Sequence, residues 1–228
     1  MLTKMVKYHP DTRFLTDYAA GSLPESQALC VAAHLHYCPS CRTKISELNE
    51  LGSEFFISQK PETVSDTCFD SIMARLESSP QAEPPPKYSV NINRSSGTLP
   101  AAIQKFTGGN IESLNWRNIG KSFRFSNIQL GDNQRETSLL HIQAGGNVPK
   151  HHHKGDEITV VLKGSFSDQE DRYVVGDYIV RTNGKAHTPV ASQDEDCLCL
   201  STLDSPIEMD NWFYRMLMPL FNRASFGH

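Results

Sequence analysis

The chain lacks any apolar run near the roughly 20 residues that a membrane-spanning helix needs, so no transmembrane helix is expected. Its first residues, Met1 to Pro10, have no apolar signal core, so export is not expected either. There is no excess of positive charge: 22 Lys and Arg stand against 26 Asp and Glu, a net charge of -4. That balance removes the electrostatic footprint of a direct nucleic-acid binder. Cysteines are few, at positions 30, 38, 41, 68, 197 and 199. Their spacing suits a metal site plus scattered core thiols in a reducing cytoplasm better than a disulfide framework. What remains, at 38% hydrophobic residues over 228 positions, is a soluble globular composition long enough for one large domain or two smaller ones.

Against that background one stretch is dense in metal donors. His34-Leu35-His36-Tyr37-Cys38-Pro39-Ser40-Cys41 reads H-x-x-x-C-x-x-C. Residues four apart share a helix face, so His34 and Cys38 can address one ion, whereas His36 lies off that face. The Pro39-Ser40 step then turns the chain and lets the C-x-x-C pair close around a tetrahedral metal. Imidazole and thiolate together suit zinc. Three donors leave one corner, for which His9 is a candidate.

The segment around this motif is patterned as helix. Phe14, Leu15 and Tyr18 follow Pro10-Asp11 at helical spacing until Gly21. A second helix takes Pro24 and Glu25 in its first turn and runs through Leu29 and Ala33 to His34. A third starts near Pro39 and carries Ile45, Leu48, Leu51 and Phe55 on one stripe. Residues 64–76 support a fourth, with Phe69, Ile72, Met73 and Leu76 on its apolar face. A unit this small is marginal by hydrophobic burial alone, which gives a structural zinc a role. Phe55, Phe56, Phe69, Ile72, Met73 and Leu76 are candidates for core or for a partner-binding surface. Cys30 and Cys68 sit among apolar helix positions and are expected in the core.

Three consecutive prolines at 84–86 mark a semi-rigid spacer. The division expected is a helical domain over 1–80, a spacer over 81–95 and a second domain over 96–228. Residues 88–115 are weakly patterned and suit either more connection or an edge strand. From Trp116 the period changes to short β-prone runs near 123–130, 138–143, 157–162, 165–167, 171–174, 177–180 and 197–203. Glycine-bearing turns punctuate them, the signature of an all-β sandwich or barrel, the jelly roll included. The apolar end, 212–218, is expected to pack on the barrel or at an interface.

A second set of donors lies in this half. His151 and His153 share a strand face, with His152 on the other, and Glu157 has the same parity. His187 follows the Asn183-Gly184 turn. Three imidazoles and a carboxylate suit zinc, manganese, iron or nickel. Cys197 and Cys199 alternate along one predicted strand and so face the same way, as a redox pair or as small core residues.

The spacing Gly145-x5-His151-x-His153-x3-Glu157-x6-Gly164 resembles the first cupin motif at every fixed position, and 176–187 resembles the second. Thr182 stands where cupins usually have proline and Ala191 where many have asparagine, which weakens transfer of any particular enzymatic activity. Together with H-x-x-x-C-x-x-C and the early His9-Pro10, the chain resembles the ChrR-type zinc-binding anti-sigma factors over nearly its whole length. The resemblance implies a multi-domain α and β protein, a zinc-stapled helical bundle followed by a jelly-roll cupin. It implies structural zinc on His9, His34, Cys38 and Cys41. It also implies a second zinc, or another divalent metal, on His151, His153, Glu157 and His187. The implied partner is an extracytoplasmic-function sigma factor, held inactive in the cytoplasm by the helical domain. The cupin would sense singlet oxygen or organic peroxide. No catalysis, no membrane and no direct nucleic-acid contact are implied, and a cupin-mediated dimer is left open. The rival reading is a metal-dependent cupin enzyme of dioxygenase or isomerase type with an accessory zinc domain; a DNA-binding regulator fits the acidic balance least.

Overall fold

A computed structural model describes residues 6–78, 99–132, 135–152, 155–182, 186–204 and 208–209. His153, the 81–95 spacer, the Asn183-Gly184 turn and the apolar end at 212–218 lie outside the described residues.

Helix α1, Thr12–Ala19, starts where the Asp11 carboxylate accepts the backbone N–H of Phe14 at 3.0 Å. It ends before Gly21, whose φ of 68° suits a residue without a Cβ. Helices α2, Glu25–Tyr37, and α3, Pro39–Ile57, are separated by Cys38 alone. A residue preceding proline is pushed out of the helical region, and proline is well placed at a first helical position. Cys38 is accordingly extended at φ -106°, ψ 102°. Helix α4, Cys68–Ser78, begins later than the expected residue 64.

The weakly patterned region is neither plain connection nor strand at its centre. It forms α5, Ala101–Thr107, and a short 3-10 helix, Ile111–Ser113. Seven residues are too few for helical periodicity to declare itself. Ile103 is fully buried among residues of the larger apolar core, so tertiary packing decides this element.

The β half builds a six-stranded antiparallel sheet in the order β1-β2-β3-β10-β5-β8. Its strands are β1 Arg117–Ile119, β2 Phe123–Ile128, β3 Glu136–Ile142, β5 Glu157–Lys163, β8 Tyr178–Arg181 and β10 Cys197–Leu203. A second sheet, β7-β6-β9, uses Arg172–Val174, Ser165–Ser167 and Val190–Ala191. A third pairs β4, His151–His152, with β11, Glu208–Met209. The strands curl around an interior cavity, as the jelly-roll expectation requires.

Strands β5 and β10 are buried on both faces, Lys163 apart. Glu157, Thr159, Cys199, Ser201 and Leu203 line the interior cavity. The alternate residues Ile158, Val160, Leu162, Leu198 and Leu200 point outward, into one core with Leu15, Leu29, Val31 and Ala33 of the helices. Period-2 alternation therefore reads as a continuous apolar run here, because the helical half covers the sheet's outer face. Cys30 lies in that core at 0% exposure. Cys68, expected to be buried, is only half-buried, because α4 buries none of its residues.

Candidate metal centres

The break between α2 and α3 shapes the first centre. Cys38 caps α3, its Sγ accepting the backbone N–H of Cys41 at 3.4 Å. Both thiols thus sit at a helix N-terminus, where the backbone N–H groups favour negative charge. His34, one turn earlier on α2, is fully buried. The segment before α1 brings in His9, whose Nδ1 lies 3.4 Å from Cys38 Sγ and 3.5 Å from Cys41 Sγ. One donor atom from each of His9, His34, Cys38 and Cys41 falls within 4.8 Å of all the others. Tetrahedral zinc bound at ordinary lengths separates a sulfur from a nitrogen ligand by about 3.5 Å, so this spacing fits the ion.

The environment agrees. His34 Nδ1 donates to the carbonyl of Gly176 at 2.7 Å, which leaves Nε2 as the nitrogen with a lone pair. That Nε2 is buried without a hydrogen-bond partner, a costly state unless a metal takes it. Burial pushes the His34 imidazole down to about 4, so the ring is neutral, the form that ligates. Burial, and then the hydrogen bond with Cys38, push the Cys41 thiol up to about 11. A cation displaces the proton from such a thiol on binding.

The second centre lies inside the barrel. His151 on β4 and His187, in the turn before β9, form a bridge of two backbone hydrogen bonds at 3.2 and 3.0 Å. Their rings meet edge to face, with centroids 4.3 Å apart. His151 Nδ1 donates to the Pro149 carbonyl at 2.7 Å, which again sets the tautomer. Glu157, at the start of β5, presents Oε2 at 3.9 Å from His187 Nε2. Its other oxygen accepts from Thr159 Oγ1 and Ser201 Oγ, each at 3.1 Å. These hydroxyls fix the orientation of the carboxylate. The three donors open on a cavity of about 90 Å³ whose walls include Phe123, Phe125, Leu140, Val148, Phe166 and Cys199. His151, Glu157 and His187 suit a divalent metal beside an apolar chamber.

Comparison with known proteins decides the family. A model described as the ChrR cupin-like domain matches residues 105–205, and a zinc-finger model matches residues 12–42. The anti-sigma-E factor ChrR of Cereibacter sphaeroides is 32% identical over 216 residues, 95% of this chain and 98% of that one. The crystal structure of Rhodobacter sphaeroides SigE in complex with the anti-sigma ChrR matches with a TM-score of 0.71. Identity in that match is 32%, covering 87% of this chain and 99% of the other. The chain belongs to the ChrR family of anti-sigma factors.

In this ChrR-family member Cys197 and Cys199 both face the barrel interior, with Sγ atoms 3.6 Å apart. The hydrogen bond with Cys197, then burial, raise the Cys199 thiol well above its ordinary range, so that thiol rests protonated. Phe55, Phe56, Phe69, Ile72, Met73 and Leu76 are not core: each is exposed, Phe56 at 81%. Two groups of functional residues carried no sequence signal. Ser201 and Thr159 look like ordinary strand positions, and only the register of β10 on β5 (Ser201 opposite Thr159) brings them to Glu157. Gly176 and Asp177 read as a turn, yet the Gly176 carbonyl holds the His34 ring and the Asp177 carboxylate holds the backbone just before His9. Among the described residues no helix is long and apolar enough to cross a membrane.

Proposed function

We propose that the chain sequesters an extracytoplasmic-function sigma factor, occluding the surfaces the factor would offer to RNA polymerase or promoter, and that it does so in the cytoplasm. One observation carries the reading. The end of α3 and the whole of α4 present Phe55, Phe56, Ile57, Phe69, Ile72 and Leu76, all more than half exposed, beyond the zinc-fitting cluster. An apolar surface of this extent costs solubility in a free protein and suits a helix-and-groove partner. The relative at 32% identity is described in complex with SigE, which supplies the kind of partner.

In this reading the helical domain, 1–80, is the inhibitory module, with His9, His34, Cys38 and Cys41 as structural zinc ligands. The cupin, 96–228, is the sensor and not an enzyme. His151, Glu157 and His187, with His153, hold its metal, which supplies a Lewis-acid centre facing the chamber. The chamber's apolar walls admit a small organic hydroperoxide. That oxidant converts the Cys197 and Cys199 thiols to a disulfide while being reduced to the alcohol and water. The sensor acts only by altering the bound and free states unequally.

The test is co-expression with an extracytoplasmic-function sigma factor from the same genome, followed by light scattering and metal analysis. A stable one-to-one complex supports the proposal. A chain that elutes alone, or as a dimer through the cupin, with metal in the cupin only, overturns it in favour of a cupin enzyme.

A further inference from the structure

We infer that the β7–β8 turn of the cupin, Gly176-Asp177, is the positioning shell of the helical zinc site, so that the barrel sets the geometry and affinity of a metal it does not itself ligate. The inference rests on the reading of His9, His34, Cys38 and Cys41 as zinc ligands.

Hydrogen bonds from both halves of the protein meet at this turn. The Gly176 carbonyl accepts His34 Nδ1–H at 2.7 Å, which holds the ring with Nε2 toward the cysteines. Asp177 is completely buried, and its Oδ1 accepts the backbone N–H groups of Lys7 at 2.7 Å and Tyr8 at 3.0 Å. Its Oδ2 accepts Val174 N–H at 2.8 Å, which closes the turn on itself. Tyr178 N–H then donates to the Tyr8 carbonyl at 2.9 Å. The backbone of Lys7 and Tyr8, immediately before His9, is therefore pinned to the barrel by three hydrogen bonds, two to the Asp177 carboxylate and one from Tyr178 N–H. The cupin thus holds the His34 ring on α2 and the segment leading into His9, whereas Cys38 and Cys41 sit at the start of α3.

The fit depends on glycine at 176. Its φ is 93°, and a Cβ there would stand 2.7 Å from Val6 Cγ2 and 2.8 Å from Tyr37 Cβ. The helical half sits too close for any side chain. From this turn β8 runs to Arg181, which pairs in register with Glu157, the carboxylate of the second centre. One strand thus has the helical zinc site at its start and the cupin donors at its end. A displacement of β8 would reach both. Partners that orient metal-ligating histidines commonly contribute 10–100-fold in affinity.

The experiment uses the full-length chain. Zinc affinity at the helical site is measured by chelator competition, and the site is also loaded with cobalt(II) for its visible spectrum. Asp177→Asn is compared with Asp132→Ala, which removes the carboxylate that accepts Ser26 N–H and Oγ–H in the first turn of α2, the helix of His34, without touching a zinc ligand or its hydrogen-bond partner. A loss of roughly 10-fold or more in Asp177→Asn, with a changed cobalt spectrum, and less than about 3-fold in Asp132→Ala, is expected. Equal losses in the two variants, or none in either, overturn the inference. Should Asp177→Asn not fold, nitrogen-15 spectra of the zinc-loaded wild-type chain decide. His34 protonated on Nδ1 and metallated on Nε2 supports the inference; the opposite tautomer sinks it. A wild-type chain that binds no zinc at this site removes the zinc reading itself, whereas zinc bound with equal affinity in all variants removes only the inference.

Discussion

Ser26, in the first turn of α2, and Asp132, 106 residues later in the cupin, share one carboxylate: Asp132 Oδ2 accepts Ser26 N–H at 3.1 Å and Ser26 Oγ–H at 2.6 Å. The residue preceding α2 is Pro24, which offers no side-chain cap. The helix that carries His34 is therefore capped by the other half of the protein. Glu25 reciprocates, its Oε2 accepting the backbone N–H of Gly131 at 2.6 Å. Asp132→Ala is expected to cost about 1–2 kcal/mol, the usual worth of an N-cap, read as a lowered denaturant midpoint at unchanged slope. A midpoint equal to wild type would show that the loop does not cap the helix in solution.

Zinc removal should release α3 first. That helix spans 19 residues and buries one of them, Cys41. Ile45 and Leu48 are only partly covered, and Arg42 donates to the Leu35 and His36 carbonyls of α2 at 2.6 and 3.2 Å, so the metal cross-link adds to a thin set of contacts between the two helices. Hydrogen exchange after chelation is expected to rise at least about 10-fold across 39–57, with β5 and β10 unchanged, because exchange reports the local opening energy. Exchange that rises equally in α3 and the barrel strands would mean that the metal holds the whole molecule.

The exposed stripe separates binding from stability. Phe56 is 81% and Leu76 64% exposed, so charging either removes little packing from the free chain. Phe56→Asp and Leu76→Asp are each expected to alter stability by no more than about 0.5 kcal/mol. Each should weaken sigma-factor association by at least about 10-fold, by calorimetry or surface capture, since a large apolar anchor is replaced by a charge at a buried interface. Full affinity in both variants would place the binding surface elsewhere.

How far the sequence carried can be argued from a few residues. His34, Cys38 and Cys41 were legible because helical spacing and the Pro39 break are local rules. The barrel was legible from its glycine-punctuated strands. Two things were not. The apolar face of Phe69, Ile72 and Leu76 looks the same whether it meets a core or a partner, since periodicity reports a face and not its occupant. The second was the docking of the helices onto Val160, Leu198 and Leu200. A proline-rich spacer suggests independent halves, but the apolar outer residues of β5 and β10 demand a cover, and no local pattern names it. Asp132 and Gly176 acquire their roles only through that docking.

Glu157 offers the sharpest test of the cupin centre. Its Oε1 is held by Thr159 and Ser201, and Ser201 in turn lies 3.4 Å from Thr159 Oγ1. Ser201→Ala removes one of the two hydroxyls on the carboxylate while leaving His151, Glu157 and His187 in the sequence. The carboxylate then gains freedom to turn away from His187, from which its other oxygen stands 3.9 Å. Divalent-metal affinity at this centre should fall roughly 10–100-fold, the usual effect of losing a partner that orients a ligand. Metal content is measured by mass spectrometry at limiting zinc, with Cys38→Ser as the background so that only the cupin site reports. Undiminished loading in Ser201→Ala would mean that the hydroxyl pair serves the strand pairing of β10 on β5 and not the metal.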